Sequence, residues 1–85
     1  MKLPKPGQRV AITFLDHCEG STKPIRFCVF GKVAKVGKES IAVNSWAYPN
    51  KDYKGDGNEA TFCIVTSAIE TIELLTTVET YHRNS

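Results

Sequence analysis

The chain has 85 residues and a mass of 9.4 kDa, enough for one domain and too little for two. Hydrophobic residues make up 41% of the sequence and charged residues 24%, a balance that excludes collagen-like, coiled-coil and wholly disordered classes. The net charge is only +2 and the lysines are scattered, whereas dedicated nucleic-acid-binding domains usually carry clustered Lys and Arg. We therefore expect a single domain over residues 1–85, with flexible tails at about 1–7 and 81–85.

The first two predicted strands are separated by a polar loop. Hydrophobic residues alternate over residues 9–15, which predicts a strand. Residues 16–24 are polar and contain Gly and Pro, as is typical of a loop. Val33 and Val36 are three positions apart, so in a regular strand they would point to opposite faces. We therefore expect a bulge or a bend between them, near residues 34–35. The second strand places four residues on one face: Phe27, Val29, Gly31 and Val33.

A short turn leads to two further strands. Residues 36–40 form this turn, in which Gly37 suits a hairpin position with a positive φ. Alternation returns over residues 41–46 and predicts the third strand. Residues 50–59 are the longest turn-rich stretch of the chain, and a fourth alternating strand follows over residues 60–65.

The segment after residue 65 matches two templates. Ser67–Glu70 matches a helical capping box, and the spacing of the next apolar residues is also compatible with a helix. The many threonines oppose a helix because β-branched side chains lose rotamer freedom there. Alternation from Ile72 to Thr80 favours a strand. We expect one tight turn at Thr66–Ile69 and a strand over about 70–80.

Five short strands with this spacing predict an all-β fold. A long first loop, a tight central hairpin and a one-turn 3-10 helix before the last strand together describe a small five-stranded SH3-like barrel. A barrel closes a short sheet on itself and leaves few exposed edges, which suits a chain with a small core. Thirteen apolar side chains are expected to fill its interior: Val10, Ile12, Phe14, Phe27, Val29, Val33, Ile41, Val43, Phe62, Ile64, Ile69, Ile72 and Leu74.

The sequence also resembles a group of small uncharacterised phage and prophage proteins with this barrel, over residues 8–75. Three segments match the motifs of this group. The first strand ends in an aromatic-x-Asp motif, here Phe14-Leu15-Asp16, and a Val-Gly pair, Val36-Gly37, precedes the hairpin. Residues 64–72 correspond to the motif Ile-Pro-x-x-x-Ile-x-x-Ile. Val65 replaces the usual proline, and His17 stands where a small residue is common. These motifs are structural, so the resemblance implies a fold and a phage origin, in the cytoplasm of an infected or lysogenic bacterial host, and implies no reaction.

The three cysteines also indicate a reducing compartment. Their number is odd, and residues 1–7 contain no apolar segment of the kind found in signal peptides, so we expect no disulfide framework. His17 and the cysteines do not form the closely spaced pairs of a zinc site. We expect buried or half-buried thiols that pack as small hydrophobes, with no metal and no cofactor. The cysteines are Cys18, Cys28 and Cys63.

An aromatic group beside a basic loop is the most informative candidate site. If Ile41 and Val43 point inward, strand parity directs Trp46 and Tyr48 outward. These rings could cover the barrel end, anchor a protein partner or a second copy, or stack on a nucleobase. The group is Trp46, Tyr48 and Tyr53, with Lys51, Lys54 and Arg26 as candidate phosphate ligands.

Charge is divided unevenly along the chain. Residues 1–54 contain ten Lys and Arg against four Asp and Glu, a net +6, whereas residues 55–85 carry a net −4. This division fits either the solvated faces of a dipolar domain or a patch that binds anions or steers a partner.

Two polar segments contain residue types that occur in catalytic or calcium-binding sites. Asp16 and His17 could act in acid–base chemistry or bind a ligand, but no nucleophile accompanies them in a known motif, and Asp16 also suits a loop-stabilising turn. Residues 50–59 do not match the spacing of a calcium-binding EF-hand. Because the sequence contains no phosphate-binding loop, no catalytic-triad signature and no metal-ligand spacing, we expect no enzyme and no catalytic residue.

The predicted function is therefore binding. We expect a non-catalytic phage-type protein that associates with a host protein or with its own copies, and that counters a host defence. The predicted extension of the last strand over residues 75–80 would leave an unpaired edge, and this edge or the Trp46 face could join copies into a homo-oligomer. A binder that sequesters a nucleotide signal and a nucleic-acid-binding barrel are the alternatives. We expect no association with a membrane.

Overall fold

The computed structural model describes residues 2–16, 22–45, 60–77 and 79–83. They form five antiparallel strands in one sheet and a single 3-10 turn, Thr66–Ala68. The predicted all-β fold, the number of strands and the turn before the last strand are confirmed. No helix within the described residues has the length and hydropathy that crossing a membrane requires. The strands are β1 (Arg9–Asp16), β2 (Ile25–Val36), β3 (Ser40–Asn44), β4 (Thr61–Val65) and β5 (Ile69–Leu74).

The long strand β2 belongs to both halves of the sheet. The strand order is β4-β3-β2-β1-β5. Residues 25–32 of β2 pair with β1, whereas its later residues, from Lys32 to Val36, pair with β3. The last strand returns beside the first, so that Ile12 of β1 lies between Val29 of β2 and Ile72 of β5. One half of the sheet is therefore β5-β1-β2, and the other half is β2-β3-β4.

A glycine and a bulge allow β2 to pass from one half of the sheet to the other. A Cβ atom at Gly31 would collide with the carbonyl oxygen of Asn44 and lie 2.8 Å from Cγ1 of Val43. Two residues further on, the register with β3 shifts between Val33 and Lys35, which confirms the predicted bulge. β3 approaches the backbone of β2 this closely only because Gly31 has no side chain.

The core lies on the inner face of the sheet, which is the face that carries Val10 and Ile12. Of the thirteen predicted core residues, ten are buried or pack against the buried cluster, which confirms the alternation in all five strands. The fully buried cluster consists of Val10, Ile12, Val33, Ile41, Val43 and Ile64, and the partly buried residues packed on it are Phe14, Val29, Val36, Ile69 and Ile72.

Three predicted core residues are exposed instead. Phe27, Phe62 and Leu74 are 40%, 44% and 46% exposed. Phe62 and Leu74 lie on β4 and β5, which are the edge strands, so each has a neighbouring strand on one side only. Phe27 lies near the start of β2, where its ring stacks on Phe14 with a centroid distance of 5.9 Å. Alternation correctly predicted the face of these side chains but not how far the other half of the sheet extends over them.

The last strand is shorter than predicted. β5 ends at Leu74, and residues 75–77, 79 and 80 are not in a strand. The Leu75 N–H donates to the Arg9 carbonyl at 2.9 Å. Because Arg9 is the first residue of β1, pairing for β5 ends there. Among the described residues the sheet is open, with β4 and β5 at its edges, so the expected closed barrel and the unpaired extension over 75–80 are not observed.

The prediction of a positive φ at Gly37 is also wrong. The Gly37 N–H donates to the Ser40 carbonyl at 2.8 Å and closes the turn. Among the described glycines only Gly7 has a positive φ, of 92°. Gly37 therefore closes the hairpin with a backbone that other residues can adopt.

Replacing Gly31 tests the close approach of β2 and β3. Gly31→Ala should lower the free energy of unfolding by about 3 kcal/mol, because its methyl group meets backbone atoms that cannot move aside. Gly37→Ala is the matched control: its Cβ would lie 3.4 Å from the Ser40 carbonyl oxygen, and it should change stability by less than about 1 kcal/mol. Urea unfolding measures both, and equal stabilities would contradict the close approach.

A second pair of substitutions tests the corrected core. Ile12→Ala should cost about 2–5 kcal/mol, because Ile12 is fully buried and its truncation leaves a cavity. Leu74→Ala should cost only about 1 kcal/mol, because almost half of Leu74 already contacts solvent. Thermal or urea unfolding of the two variants gives the comparison. A larger loss for Leu74→Ala would place the centre of the core at β5.

Candidate functional site

Most of the predicted site residues lie outside the described residues. These are the aromatic group, its two lysines and the loop histidine: Trp46, Tyr48, Tyr53, Lys51, Lys54 and His17. Their roles stay predictions. The structure describes Asp16 and Arg26, and it places both at the same end of the sheet, where β1 ends and β2 begins.

Asp16 is part of a strand and does not begin the loop as expected. It is the last residue of β1, it is exposed, and it stands opposite Ile25 in the register with β2. Arg26 is next to this pair and already has a carboxylate partner. Its Nε donates to Oε1 of Glu70 at 3.0 Å, and the Arg26 side chain is 65% exposed. A phosphate at Arg26 would therefore compete with Glu70.

The outer face of the β5-β1-β2 half carries the most unusual surface. It is the face opposite Val10 and Ile12, and the pairing register assigns its members because directly opposed residues point to the same side. Antiparallel sheets usually present polar side chains on such a solvent face. We call this surface the outer face; it consists of Arg9, Ala11, Thr13 and Leu15 on β1, Arg26, Cys28, Phe30 and Lys32 on β2, and Glu70, Thr71 and Glu73 on β5.

The outer face contains exposed apolar side chains. Phe30 is 62% exposed, the largest value among the large apolar residues of the described strands. It stands opposite Ala11 of the middle strand. Leu15 is 37% exposed, and the thiol-bearing Cys28 is exposed as well. Exposed aromatic rings are enriched in the surfaces through which proteins bind one another.

The two sides of the outer face carry opposite charges. Arg26 and Lys32 lie on β2, and Glu70 and Glu73 lie on β5. The ion pair between Arg26 and Glu70 crosses the middle strand above Leu15, which stands opposite Arg26 in the register. The uneven division of charge along the sequence thus has a counterpart in space, with basic residues on one side of the face and acidic residues on the other.

The described cysteines do not behave as expected. Cys28 and Cys63 are free and exposed, so the predicted burial of the thiols is wrong for these two. Both lie on strand positions that alternate with inward-pointing residues: Cys28 is opposite Thr13, and Cys63 is opposite Ala42. Within the part of the chain that the structure describes, no three His, Cys, Asp or Glu side chains come together in a way that could hold a metal ion.

An open cavity of about 240 Å³ lies between the N-terminal segment and β5. Its apolar lining includes Leu3 and Ile72, and its polar lining comes from two lysines and a glutamine. This lining contains no carboxylate, imidazole or thiol. The full lining is Lys2, Leu3, Pro4, Lys5, Gln8, Ile72 and Leu74.

Comparison of the chain with protein-family models, with curated proteins and with solved structures found no match. The chemistry of the surface therefore carries the functional argument.

Phe30 is the functional candidate that the sequence reasoning missed. The signal was present in the run Phe27-Cys28-Val29-Phe30. Since Phe27 and Val29 share the inner face, alternation directs Cys28 and Phe30 to the opposite face. The sequence signal for this site is an aromatic residue whose position alternates with the core residues of its own strand.

The ion pair on the outer face can be measured by a double-mutant cycle. We expect a coupling of about 0.2–1 kcal/mol between Arg26→Ala and Glu70→Ala in urea unfolding, because the guanidinium is mostly exposed and water screens the pair. The coupling should shrink in about 1 M salt. Additive effects of the two substitutions at low salt would show that the contact contributes nothing to stability.

Proposed function

We propose that the chain is a small SH3-like domain that acts without catalysis, by association with another protein through the outer face. The observation that carries this proposal is the 62% exposure of Phe30, on the β2 side of that face. Complete burial of a phenylalanine side chain is worth about 1.5–3 kcal/mol, so a partner that covers the ring gains a large part of that free energy. Aromatic residues of this kind dominate the binding energy of protein interfaces.

The proposed SH3-like architecture rests on the strand order and on the connections. Sequential strands pair in a meander, the last strand returns beside the first, and a 3-10 turn separates β4 from β5. The bend of β2 at Gly31 gives the two halves of the sheet one common strand. Five short strands and a 3-10 turn before the last strand are also expected from the resemblance to small phage proteins, and the phage origin itself stays a prediction.

The charges of the outer face favour a protein over a nucleic acid. A nucleic acid presents a uniformly negative backbone, which binds where Lys and Arg dominate. On this face Glu70 and Glu73 lie on one side, and Glu70 already contacts Arg26. A protein surface of mixed charge can match both sides, whereas a phosphate chain would be repelled by the β5 side.

Substitution of Phe30 tests the proposed function. The chain, immobilised through its C-terminus, is exposed to bacterial lysate and to its own soluble form, and retained molecules are quantified by mass spectrometry. We expect a retained protein whose amount falls at least tenfold with Phe30→Ser. Val65→Ser is the matched control, because Val65 is 54% exposed and lies on the edge strand β4, outside the outer face.

Two outcomes would contradict the proposal. One is equal retention by the wild type and Phe30→Ser, with both proteins folded by circular dichroism. The other is a nucleotide released from the purified chain on denaturation, without any retained protein, which would favour the small-ligand alternative.

A further inference from the structure

We propose that the partner of the outer face is a second copy of the same chain, in a twofold-symmetric dimer in which β2 of each copy lies over β5 of the other. This inference rests on the proposed function and names its partner. The observation that carries it is the division of charge across the face, with Arg26 and Lys32 on the β2 side and Glu70 and Glu73 on the β5 side.

The charge pattern selects the direction of the symmetry axis. A twofold axis in the plane of the interface and parallel to β1 exchanges the two sides of the face, so the basic side of each copy meets the acidic side of the other. An axis in the same plane but perpendicular to the strands would reverse the strand direction, place β2 on β2 and bring Arg26 of each copy against Lys32 of the other. Like charges in contact are unfavourable, so the axis runs parallel to β1.

This axis also determines which residues meet. A twofold rotation has no translation along its axis, so residues at the same level along the strands face each other. Arg26 and Glu70 are at one level, as their 3.0 Å contact shows. Each Arg26 therefore faces Glu70 of the second copy as well as its own, and four groups of alternating sign come together. Arg9, at the start of β1 and exposed, lies at the end of the face, where its side chain can turn to solvent.

The apolar side chains of the outer face fit the same arrangement. Ala11 lies on the middle strand, close to the axis, and is 4% exposed. Neighbouring side chains already cover its methyl group, and the Phe30 rings of the two copies flank the axis on opposite sides. Because Phe30 and Glu73 both stand opposite Ala11, each ring then lies against the middle strand and the Glu73 side chain of the other copy. A partner that carries charges of only one sign could cover Phe30, but it would be repelled by the side of the face that carries the same sign.

The size of the face predicts a weak dimer. The paired segments of β5, β1 and β2, each of eight residues or fewer, cover about 14 Å by 25 Å, which is smaller than the interface of a stable complex, about 800 Å² per partner. Affinity should therefore lie in the micromolar range and fall as salt screens the exposed ion pairs.

Sedimentation equilibrium over about 10–500 µM protein tests the dimer. The wild type and Val65→Ser should rise from the 9.4 kDa monomer toward twice that mass, whereas Phe30→Ser should dissociate at least tenfold more readily. A wild type that stays monomeric throughout would overturn the dimer.

Charge reversal separates contacts between copies from contacts within one copy. Arg26→Glu alone and Glu70→Arg alone should each be monomeric, because each places like charges across the axis. An equimolar mixture of the two variants should form the heterodimer in native mass spectrometry, because every contact across its axis then joins opposite charges. Within each chain the like charges remain, so recovery on mixing can come only from the interface. A mixture that stays monomeric while the wild type dimerises would overturn the proposed axis.

The two exposed cysteines supply an internal comparison. Cys28 lies within the outer face, and Cys63 lies on β4 outside it. As protein concentration rises, alkylation of Cys28 should slow at least fivefold relative to Cys63, measured by peptide mass spectrometry. Equal slowing or none, in a sample that sedimentation shows to be dimeric, would place the interface elsewhere.

The outcomes for the dimer and for the proposed function are distinguishable. A monomeric wild type that retains a different protein through Phe30 overturns the dimer and supports the proposed function. A dimer that Phe30→Ser leaves intact overturns the dimer through the outer face, whereas the proposed function is contradicted only if Phe30→Ser also leaves the retention of other proteins unchanged.

Discussion

The architecture depends on one close contact between backbones, at Gly31. β2 pairs first with β1 and then with β3, and at the crossing a side chain on residue 31 would collide with the Asn44 carbonyl. The bulge between Val33 and Lys35 follows immediately and restores pairing with β3. Without this bend the two halves of the sheet would lie in one plane, and the inner-face residues would have nothing to pack against. The core therefore depends on the absence of a side chain at one position.

The small core also explains the exposed surface. Only six residues form the fully buried cluster, because two short halves of a sheet overlap over a limited area. Apolar residues at the edges of the inner face, such as Phe62 and Leu74, remain more than two-fifths exposed. The opposite side of the β5-β1-β2 half has no second layer in the described structure, so an aromatic residue there must face water or a partner. This exposed position is the reason that we propose a binding role for Phe30.

The proposed binding surface combines residues that are distant in the chain. Arg26 and Glu70 are 44 positions apart, yet their side chains meet across β1. Their neighbours, Lys32 and Glu73, extend the same division of charge along the face. Sequence counts did detect a basic N-terminal part and an acidic C-terminal part, but they could not show that both lie on one surface. The antiparallel return of β5 beside β1 produces that arrangement.

Alternation alone determined the strands, the inner face and the position of the bulge, because period-two burial is a local property of an antiparallel sheet. It did not determine where β5 ends, since that depends on Arg9 offering the last pairing partner. It also overestimated the burial of Phe27 and placed the described thiols inside, since burial depends on what lies across the sheet. The candidate site differed most from the prediction, because the surface around Phe30 includes Ala11 and Glu73, which belong to other strands. Pairing between distant strands, which only the tertiary structure decides, brought the out-of-phase phenylalanine together with residues of β1 and β5 in the surface that we propose for binding.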